Sequence, residues 1–263
     1  MHFIKYNGLG NDFVFLDGAT ALGVKNPGLL ARRLCNRRTG IGADGLILLL
    51  PSTQADVRMR IINSDGSEAE MCGNASRCVP LHLLNQGIVH KKNITLETLA
   101  GLIQTEVLDA KQGLVRVNMG APRQCKCACS VQTPSQSWTG TQVSMGNPHF
   151  VVWVEDVQTF PVEKVGPQLE THPAFPHKTN VEFVQILDKH TVRMRVWERG
   201  VGITQACGTG ACATATACIL NGLTDRRVTV QLDGGALTIE WPEQKDIFMT
   251  GPAQKVFEGE ITL

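Results

Sequence analysis

An excess of charge of either sign is missing from this chain. Its 25 Lys and Arg are matched by 24 Asp and Glu, leaving a net charge of +1. That balance excludes a broad basic face, so neither a nucleic acid nor a membrane surface is expected as partner. No apolar run reaches transmembrane length. The opening segment MHFIKYNGLGNDF lacks the apolar stretch of an export signal. Aromatics make up only 5% of the chain, with a single tyrosine, which argues against thick aromatic packing. A disulfide framework is not expected either. Nine cysteines are an odd number in a chain far longer than a disulfide-stapled module. Without an export signal they read as reduced thiols, and the expected location is the cytoplasm. The acceptor patterns at Asn74-Ala75-Ser76 and Asn93-Ile94-Thr95 then carry no meaning for glycosylation.

What the chain does have is a repeat. Arg58-Met59-Arg60 and Arg193-Met194-Arg195 are identical triplets 135 positions apart, and Cys72 and Cys207 are separated by the same 135. Asp44-Gly45-Leu46-Ile47 lies 135 before Thr179-Asn180-Val181-Glu182, and Asn63 lies 135 before Glu198. Gly10-Asn11-Asp12-Phe13 matches Gly146-Asn147-Pro148-His149 at an offset of 136. The period is about half the chain, so the pattern is a tandem duplication rather than a solenoid. At 263 residues, each copy is large enough for its own core. The expected division is an N-terminal lobe over 1–117, with 252–263 returning to it, and a C-terminal lobe over 118–251.

Local patterns fill in the copies. Phe13–Leu16, Leu46–Leu50 and Val57–Ile62 read as strands, and Pro27–Arg37 as a helix. Helices are expected after Cys72, to Leu84, and over Ala211–Leu220, closed by Asn85-Gln86-Gly87 and Asn221-Gly222. Pro80 falls inside the first of these, which predicts a kink or a short first segment. Thr105–Leu108 and Leu114–Val117 read as strands, Pro122–Thr141 as polar and irregular. Val256-Phe257 and Ile261-Thr262-Leu263 form a tail past the second copy that returns to pair with the first.

Both Cys72 and Cys207 directly precede a predicted helix, and each is followed by glycine. Unpaired N–H groups and a partial positive charge at a helix start favour a thiolate. The same groups can hold a substrate carboxylate, and the glycine allows close approach. An isolated cysteine is more often a buried structural residue. Two at matching points of a duplicated scaffold instead suggest facing thiols across a pseudo-twofold axis. One would take a proton from a carbon and the other would return one to the opposite face. The carboxylate grip would stabilise charge that develops at that carbon, in a dry, closed cleft.

Other motifs carry less. Gly40-Ile41-Gly42-Ala43-Asp44-Gly45 spells the dinucleotide fingerprint, but a helix-like segment precedes it and a strand follows, the reverse of the required order. A loop is expected there. Cys125, Cys127 and Cys129 alternate as if to line one strand face, without the spacers of a zinc site. Cys35, Cys78, Cys212 and Cys218 read as core, and no metal is expected.

With these motifs in view, the chain resembles the diaminopimelate epimerase family along nearly its whole length. The stretches that carry the resemblance include NGLGNDFVFLDG, RRTGIGADGLILL, NSDGSEAEMCGN, SMGNPHFVVWVEDV, TNVEFVQI, WERGVG and QACGTGACA. The resemblance implies an α/β (α+β) fold of two pseudo-symmetric lobes, each with mixed strands curled around a central helix, and an active site in the cleft between them. It implies interconversion of LL- and meso-diaminopimelate without a cofactor, in lysine and peptidoglycan precursor synthesis. Carried over by motif, Cys72 and Cys207 are the acid/base pair, supported by His149 and Glu198. Substrate contacts fall on Asn11, Asn63, Gly73, Asn74, Asn147, Asn180, Glu198, Arg199, Gly208 and Thr209. Arg199 would hold the remote carboxylate, which a planar guanidinium suits. The resemblance also implies a homodimer with an aromatic near the C-terminus at the interface, where this chain has Phe257.

Three departures stand out. Ala75-Ser76 replaces the family's usual Gly-Ala after Cys72-Gly73-Asn74, which is expected to alter the first helical turn. Ile203 replaces a usual glutamate, and Gly45 stands where some members place a substrate-contacting glutamine. The competing functional readings are a racemase or epimerase of another amino acid on the same scaffold and, from a different class, a non-catalytic amino-acid-binding protein.

Overall fold

A computed structural model describes residues 1–134, 136–243 and 245–262. Within it the chain forms two compact units, Met1–Val117 with Gly251–Leu263, and Asn118–Thr250. Ser135 and Leu263, which belong to the stretches expected to be irregular and to form the returning tail, lie outside the described residues.

The first unit contains β1 (His2–Gly8), β2 (Asn11–Leu16), α1 (Gly18–Leu22), α2 (Pro27–Leu34), β3 (Gly45–Leu50), β4 (Val57–Asn63), β5 (Glu68–Ala69), α3 (Gly73–Asn85), β6 (Asn93–Thr98), β7 (Gly101–Asp109) and β8 (Leu114–Asn118). The second contains β9 (Arg123–Gln132), β10 (Ser137–Ser144), β11 (Pro148–Trp153), α4 (Val162–Glu170), β12 (Asn180–Ile186), β13 (Thr191–Glu198), β14 (Gly202–Ile203), α5 (Gly208–Leu220), β15 (Arg227–Leu232), β16 (Gly235–Glu240) and β17 (Phe248–Pro252). The chain then adds β18 (Gln254–Glu260) to the first unit.

One strand topology is used twice. In the first unit β1–β2 is antiparallel, β2–β3 parallel, β3–β4 antiparallel and β4–β6 parallel, with β6–β7–β8 an antiparallel run. In the second unit β10–β11, β11–β12, β12–β13 and β13–β15 repeat that alternation, and β15–β16–β17 is again antiparallel. The flanking strand comes from different parts of the chain: β18, its last strand, pairs with β1, and β9, from mid-chain, pairs with β10. The fold is therefore mixed α/β and internally duplicated, with the C-terminal strand taking in the first unit the place that β9 takes in the second.

Each unit encloses one helix. In α3 every residue from Gly73 to Leu83 is buried, against β1, β7 and β18. In α5 all but Thr209 are buried from Gly208 to Cys218, against strands including β10, β11, β12 and β15. An amphipathic helix would need a wet face. These have none, which explains the alanine and small-residue content of GTGACATATAC: small side chains let strands approach from all sides. The other helices pack outside. Ala31 and Leu34 of α2 join Val14, Leu16, Leu46, Leu48 and Ile62 in one core, and Val162 and Leu169 of α4 join Phe150, Val152, Val181 and Phe183 in another. With cover on both sides, β3 and β12 read as nearly unbroken apolar runs rather than alternating ones.

Some sequence expectations need correction. The helix predicted to Arg37 stops at Leu34 because the Asn36 side chain accepts from the N–H groups of Arg38 and Thr39, both at 2.9 Å, and turns the backbone. Gly40 completes that turn, where a Cβ would lie 2.2 Å from the Arg33 carbonyl. Pro80 produces no short first segment, since α3 runs through it from Gly73 to Asn85. The stretch taken as irregular holds β9 and the start of β10. Its register slips twice against β10, and Gln124 and Ala128 adopt left-handed φ of 49° and 53°. These bulges disguise the strand period. They also break the cysteine alternation: Cys125 and Cys127 are exposed and Cys129 is buried. The Gly40–Gly45 segment is a loop followed by β3, as its order of elements predicted.

Candidate functional site

In the first unit, the chain enters α3 through an extended Cys72 at φ −142° and ψ 117°. The expected disturbance of the first turn by Ala75-Ser76 is not seen. Ser76 N–H donates to the Cys72 carbonyl at 2.9 Å, and its hydroxyl donates to the same oxygen at 2.9 Å. Around the half-buried thiol, Asn11 Oδ1 at the start of β2 accepts from Cys72 Sγ at 3.6 Å and from Asn74 Nδ2 at 3.1 Å. Asn74 Oδ1 in turn accepts from the fully buried Arg77 at 3.0 Å. The Asn11 amide is orientated from behind, because its Nδ2 donates to Asp44 Oδ2 at 2.8 Å. Asp44 belongs to a charged cluster with Arg37, Asp12 and Lys5, held by contacts of 2.7–2.8 Å. Asn63, at the end of β4, donates to Ser67 Oγ at 3.0 Å.

The second unit builds the matching site from different side chains. Cys207 caps α5 in extended conformation, and its sulfur accepts from Gly210 N–H at 3.4 Å. Thr209 Oγ1 lies 3.6 Å from that sulfur and accepts from Asn147 Nδ2 at 3.3 Å. Asn147 Oδ1 meets His149 Nε2 at 3.0 Å, and His149 Nδ1 meets Glu182 Oε1 at 2.7 Å. Asn180, opening β12, donates to the Pro148 carbonyl at 2.8 Å and accepts from Arg199 N–H at 3.0 Å. Arg199 is exposed, with one guanidinium nitrogen on the His177 carbonyl at 3.2 Å. Glu198 ends β13 and accepts from the Thr204 hydroxyl. The turn carrying Glu198 and Arg199 is anchored from α4, where Glu170 accepts from Trp197 Nε1 at 2.7 Å and from Gly200 N–H at 3.0 Å.

Electrostatics overturn one expectation. A helix start lowers a thiol's pKa, yet the Cys207 thiol is held well above its ordinary value. Burial is the main cause, and the charges of Glu198 and Glu182 add to it. The Thr209 hydroxyl and Gly210 N–H oppose the shift and lose. Glu198 is itself pushed up, first by burial and then by Glu182. Cys207 and Glu198 are thus neighbouring buried acids, and burial disfavours the charged form of each.

Of the residues named from sequence, the first unit brings Asn11, Cys72, Gly73 and Asn74 together, and the second brings Asn147, His149, Cys207, Gly208 and Thr209 together, with Glu198 next to Cys207. Sequence reading passed over Glu170, Asp44 and Glu182. Glu182 left a trace: it is a lone carboxylate in the apolar strand NVEFVQI, at the position where the other copy has Ile47.

The diaminopimelate epimerase family profile matches residues 3–125 and 141–256. The chain is similar to the diaminopimelate epimerase of Desulforudis audaxviator, at 52% identity with 99% of each chain covered. It is similar to that of Pelotomaculum thermopropionicum at 51% identity, covering 99% of this chain and 98% of the relative. Among solved structures, a PhzF-family phenazine biosynthesis protein of Bacillus anthracis shares the fold at a TM-score of 0.78 and 18% identity, over 100% of this chain and 99% of that one. The chain belongs to the diaminopimelate epimerase family.

Proposed function

We propose that the protein is an isomerase that interconverts LL- and meso-diaminopimelate, in lysine and peptidoglycan precursor synthesis, by moving the α-proton between two thiols. The observation that carries this reading is that each unit places a cysteine at the N-cap of its enclosed helix. The relatives at about half identity over the full chain are named for this activity. In the reaction the Cα–H bond breaks as an S–H bond forms on one cysteine. The S–H bond of the other then breaks as a new Cα–H bond forms on the opposite face. Cys72 and Cys207 are the acid/base pair. The N–H groups at Gly73-Asn74 and Gly208-Thr209 grip the α-carboxylate and stabilise charge that develops beside it. Glu198 exchanges the proton that Cys207 must lose before it can act as base, and His149 supports the same half-site. Asn11, Asn63, Asn147 and Asn180 fix the substrate's polar groups. Arg199 takes the distal carboxylate, its exposed fork being engaged through one nitrogen among the described residues.

The working enzyme is a cytoplasmic homodimer. In support, Val256 and Phe257 on β18 are large apolar side chains left 50% and 45% exposed. Sedimentation of wild type and Phe257→Asp tests this, with a dimer expected for the first and a monomer for the second. The function is tested by incubating the protein with LL-diaminopimelate in deuterated water, with no added pyridoxal phosphate or metal. Deuterium at the α-carbon with formation of the meso isomer is expected. Absence of exchange overturns the reading, and exchange that survives both Cys72→Ala and Cys207→Ala overturns the two-thiol assignment.

A further inference from the structure

The two units differ at three linked positions. In the first, Phe13 lies opposite Gly45 in the parallel pair β2–β3, and Ile47 follows two residues later. In the second, His149 lies opposite Asn180 in the parallel pair β11–β12, and Glu182 follows two residues later. An apolar pair in one copy is thus an ionisable pair in the other. The third position is in the enclosed helix. Ala75 is fully buried in α3, whereas its equivalent in α5 is Gly210. A Cβ on Gly210 would lie 2.8 Å from Glu182 Oε1 and 3.2 Å from Cys207 Sγ. Glycine, histidine and glutamate therefore go together, and the glycine makes the room that the carboxyl group occupies.

Neither side chain of the pair sees solvent. Glu182 Oε2 has no hydrogen-bond partner among the described residues. Burial raises the pKa of Glu182, and His149 only partly offsets that. A bare carboxylate is costly in such a place. One proton shared between Oε1 and Nδ1, 2.7 Å apart, meets the requirement. Wherever that proton rests, as glutamic acid with neutral imidazole or as carboxylate with imidazolium, His149 Nε2 carries a hydrogen. The consequence runs outward. A donating Nε2 fixes Asn147 with Oδ1 toward the ring, at 3.0 Å, and Nδ2 toward Thr209. Thr209 Oγ1 then accepts from Asn147, so its own hydrogen is turned to Cys207 Sγ at 3.6 Å.

We propose that Glu182 is a positioning residue that sets the direction of this hydrogen-bond chain, so that the Thr209 hydroxyl donates to the Cys207 sulfur and supports its thiolate. The inference rests on the proposed function only in taking Cys207 as a reacting thiol. With an apolar residue at 182, neutral His149 can place its proton on Nδ1. Asn147 then reverses, Thr209 donates to Asn147 Oδ1, and the sulfur loses the Thr209 donor and keeps Gly210 N–H. The ionisable groups around the sulfur are Glu198 on β13, Glu182 on β12 and His149 on β11. Glu198 opposes the thiolate in wild type and variants alike, so it does not generate the difference. An ionised Glu182 would also oppose it, but the proton shared with His149 leaves that pair without a net negative charge, so its removal does not mask the loss of the Thr209 donor.

The test measures alkylation of Cys207 against pH, by peptide mass, in wild type, Glu182→Ile, Glu182→Gln, Thr209→Val and the Glu182→Ile/Thr209→Val pair. Glutamine can donate an N–H to His149 Nδ1 and keep the direction of the chain. Glu182→Ile and Thr209→Val are each expected to move the alkylation midpoint up by about one pH unit, and the pair by no more than either alone. Glu182→Gln is expected to retain the wild-type midpoint. In turnover, Glu182→Ile is expected to lower kcat about 100-fold with KM little changed, and Glu182→Gln to recover most of it. Additive shifts in the pair, or a wild-type midpoint in Thr209→Val, overturn the proposal. So does a Gln variant whose midpoint shifts. If Glu182→Ile does not fold, the Thr209→Val and Glu182→Gln midpoints still decide. Alkylation needs no substrate, so a failure of the diaminopimelate reading would leave this result separately legible.

Discussion

Trp197 Nε1 donates to Glu170 Oε2 at 2.7 Å, tying the end of β13 to the last turn of α4. The other carboxylate oxygen accepts from Gly200 N–H at 3.0 Å. Glu170 is only 6% exposed, and both donors lose this partner if the carboxylate is removed. Burial opposes its ionisation, but the Trp197 and Gly200 bonds win and hold its pKa below the ordinary value. Glu170→Ala is expected to cost about 1–3 kcal/mol by denaturant titration, from two part-buried donors that lose their acceptor. Because Glu198 and Arg199 sit on the turn between these bonds, KM should rise as well. Glu170→Gln, which keeps an acceptor, should fall between wild type and alanine in both measurements.

Gly210 invites a substitution that local propensity would favour. Alanine in a helix is better than glycine by about 1 kcal/mol, and α5 is otherwise rich in alanine. Here the close approach decides. A Cβ 2.8 Å from Glu182 Oε1 must displace a carboxyl group that has no solvent to move into. Gly210→Ala is expected to lower stability by about 1–3 kcal/mol, the usual range for overpacking a filled core, with loss of activity. The Gly210→Ala/Glu182→Ile pair copies Ala75 and Ile47 of the first unit. It should regain much of the stability measured by thermal melting without regaining the activity.

How far these features can be read from sequence depends on what kind of signal each leaves. The duplication was legible because Arg58-Met59-Arg60 and Arg193-Met194-Arg195 sit in β4 and β13, strands of matching place, and because each cysteine motif opens the helix that its unit encloses. The helix end at Leu34 was not, since Asn36 ends it through its side chain, while the apolar spacing continues. β9 was hidden by its bulges. Glu170 and Asp44 look like ordinary surface charges in the sequence. Their roles come from tertiary neighbours, Trp197 and Asn11, which lie 27 and 33 positions away. The direction of the Cys207 shift was missed for a related reason. A helix start is visible in sequence, whereas the burial and the two nearby carboxyl groups that overrule it are not.

The charged cluster behind Asn11 has a pH signature. Burial of Asp12 disfavours its charge, but bonds from Arg37 at 2.7 Å and Lys5 at 2.8 Å outweigh that and bring its pKa from 3.8 down to about 2. A depressed pKa means that folding favours the ionised form. The stabilisation is fully present above pH 3.8 and is lost as pH falls through about 2. Asp12→Asn is therefore expected to be less stable than wild type at neutral pH, with the difference closing over that acid window. Paired urea titrations from pH 7 to pH 2 check this. A gap that stays constant with pH would assign the effect to packing instead.

The last prediction concerns the polarity of Asn11. Asp44 Oδ2 can only accept, so Asn11 turns Nδ2 to it and presents Oδ1 to Cys72 and Asn74. Asn11→Asp keeps the shape and adds a negative charge on both sides. Toward Asp44 it replaces a 2.8 Å bond with repulsion, and toward the thiol it places a carboxylate at the 3.6 Å contact. Nearby negative charge disfavours a thiolate. Alkylation of Cys72 at mildly alkaline pH should slow by about tenfold, and kcat should fall by about 100-fold. Adding Asp44→Asn separates the two effects. The 11–44 bond re-forms with its polarity reversed, so thermal stability should recover in part; the Asp12 N–H bond to Asp44 Oδ2 and the Arg37 ion pair are not restored. Cys72 still faces a carboxylate, so its alkylation should stay slow. Recovery of both would mean that Asn11 acts on the thiol only by holding the loop in place.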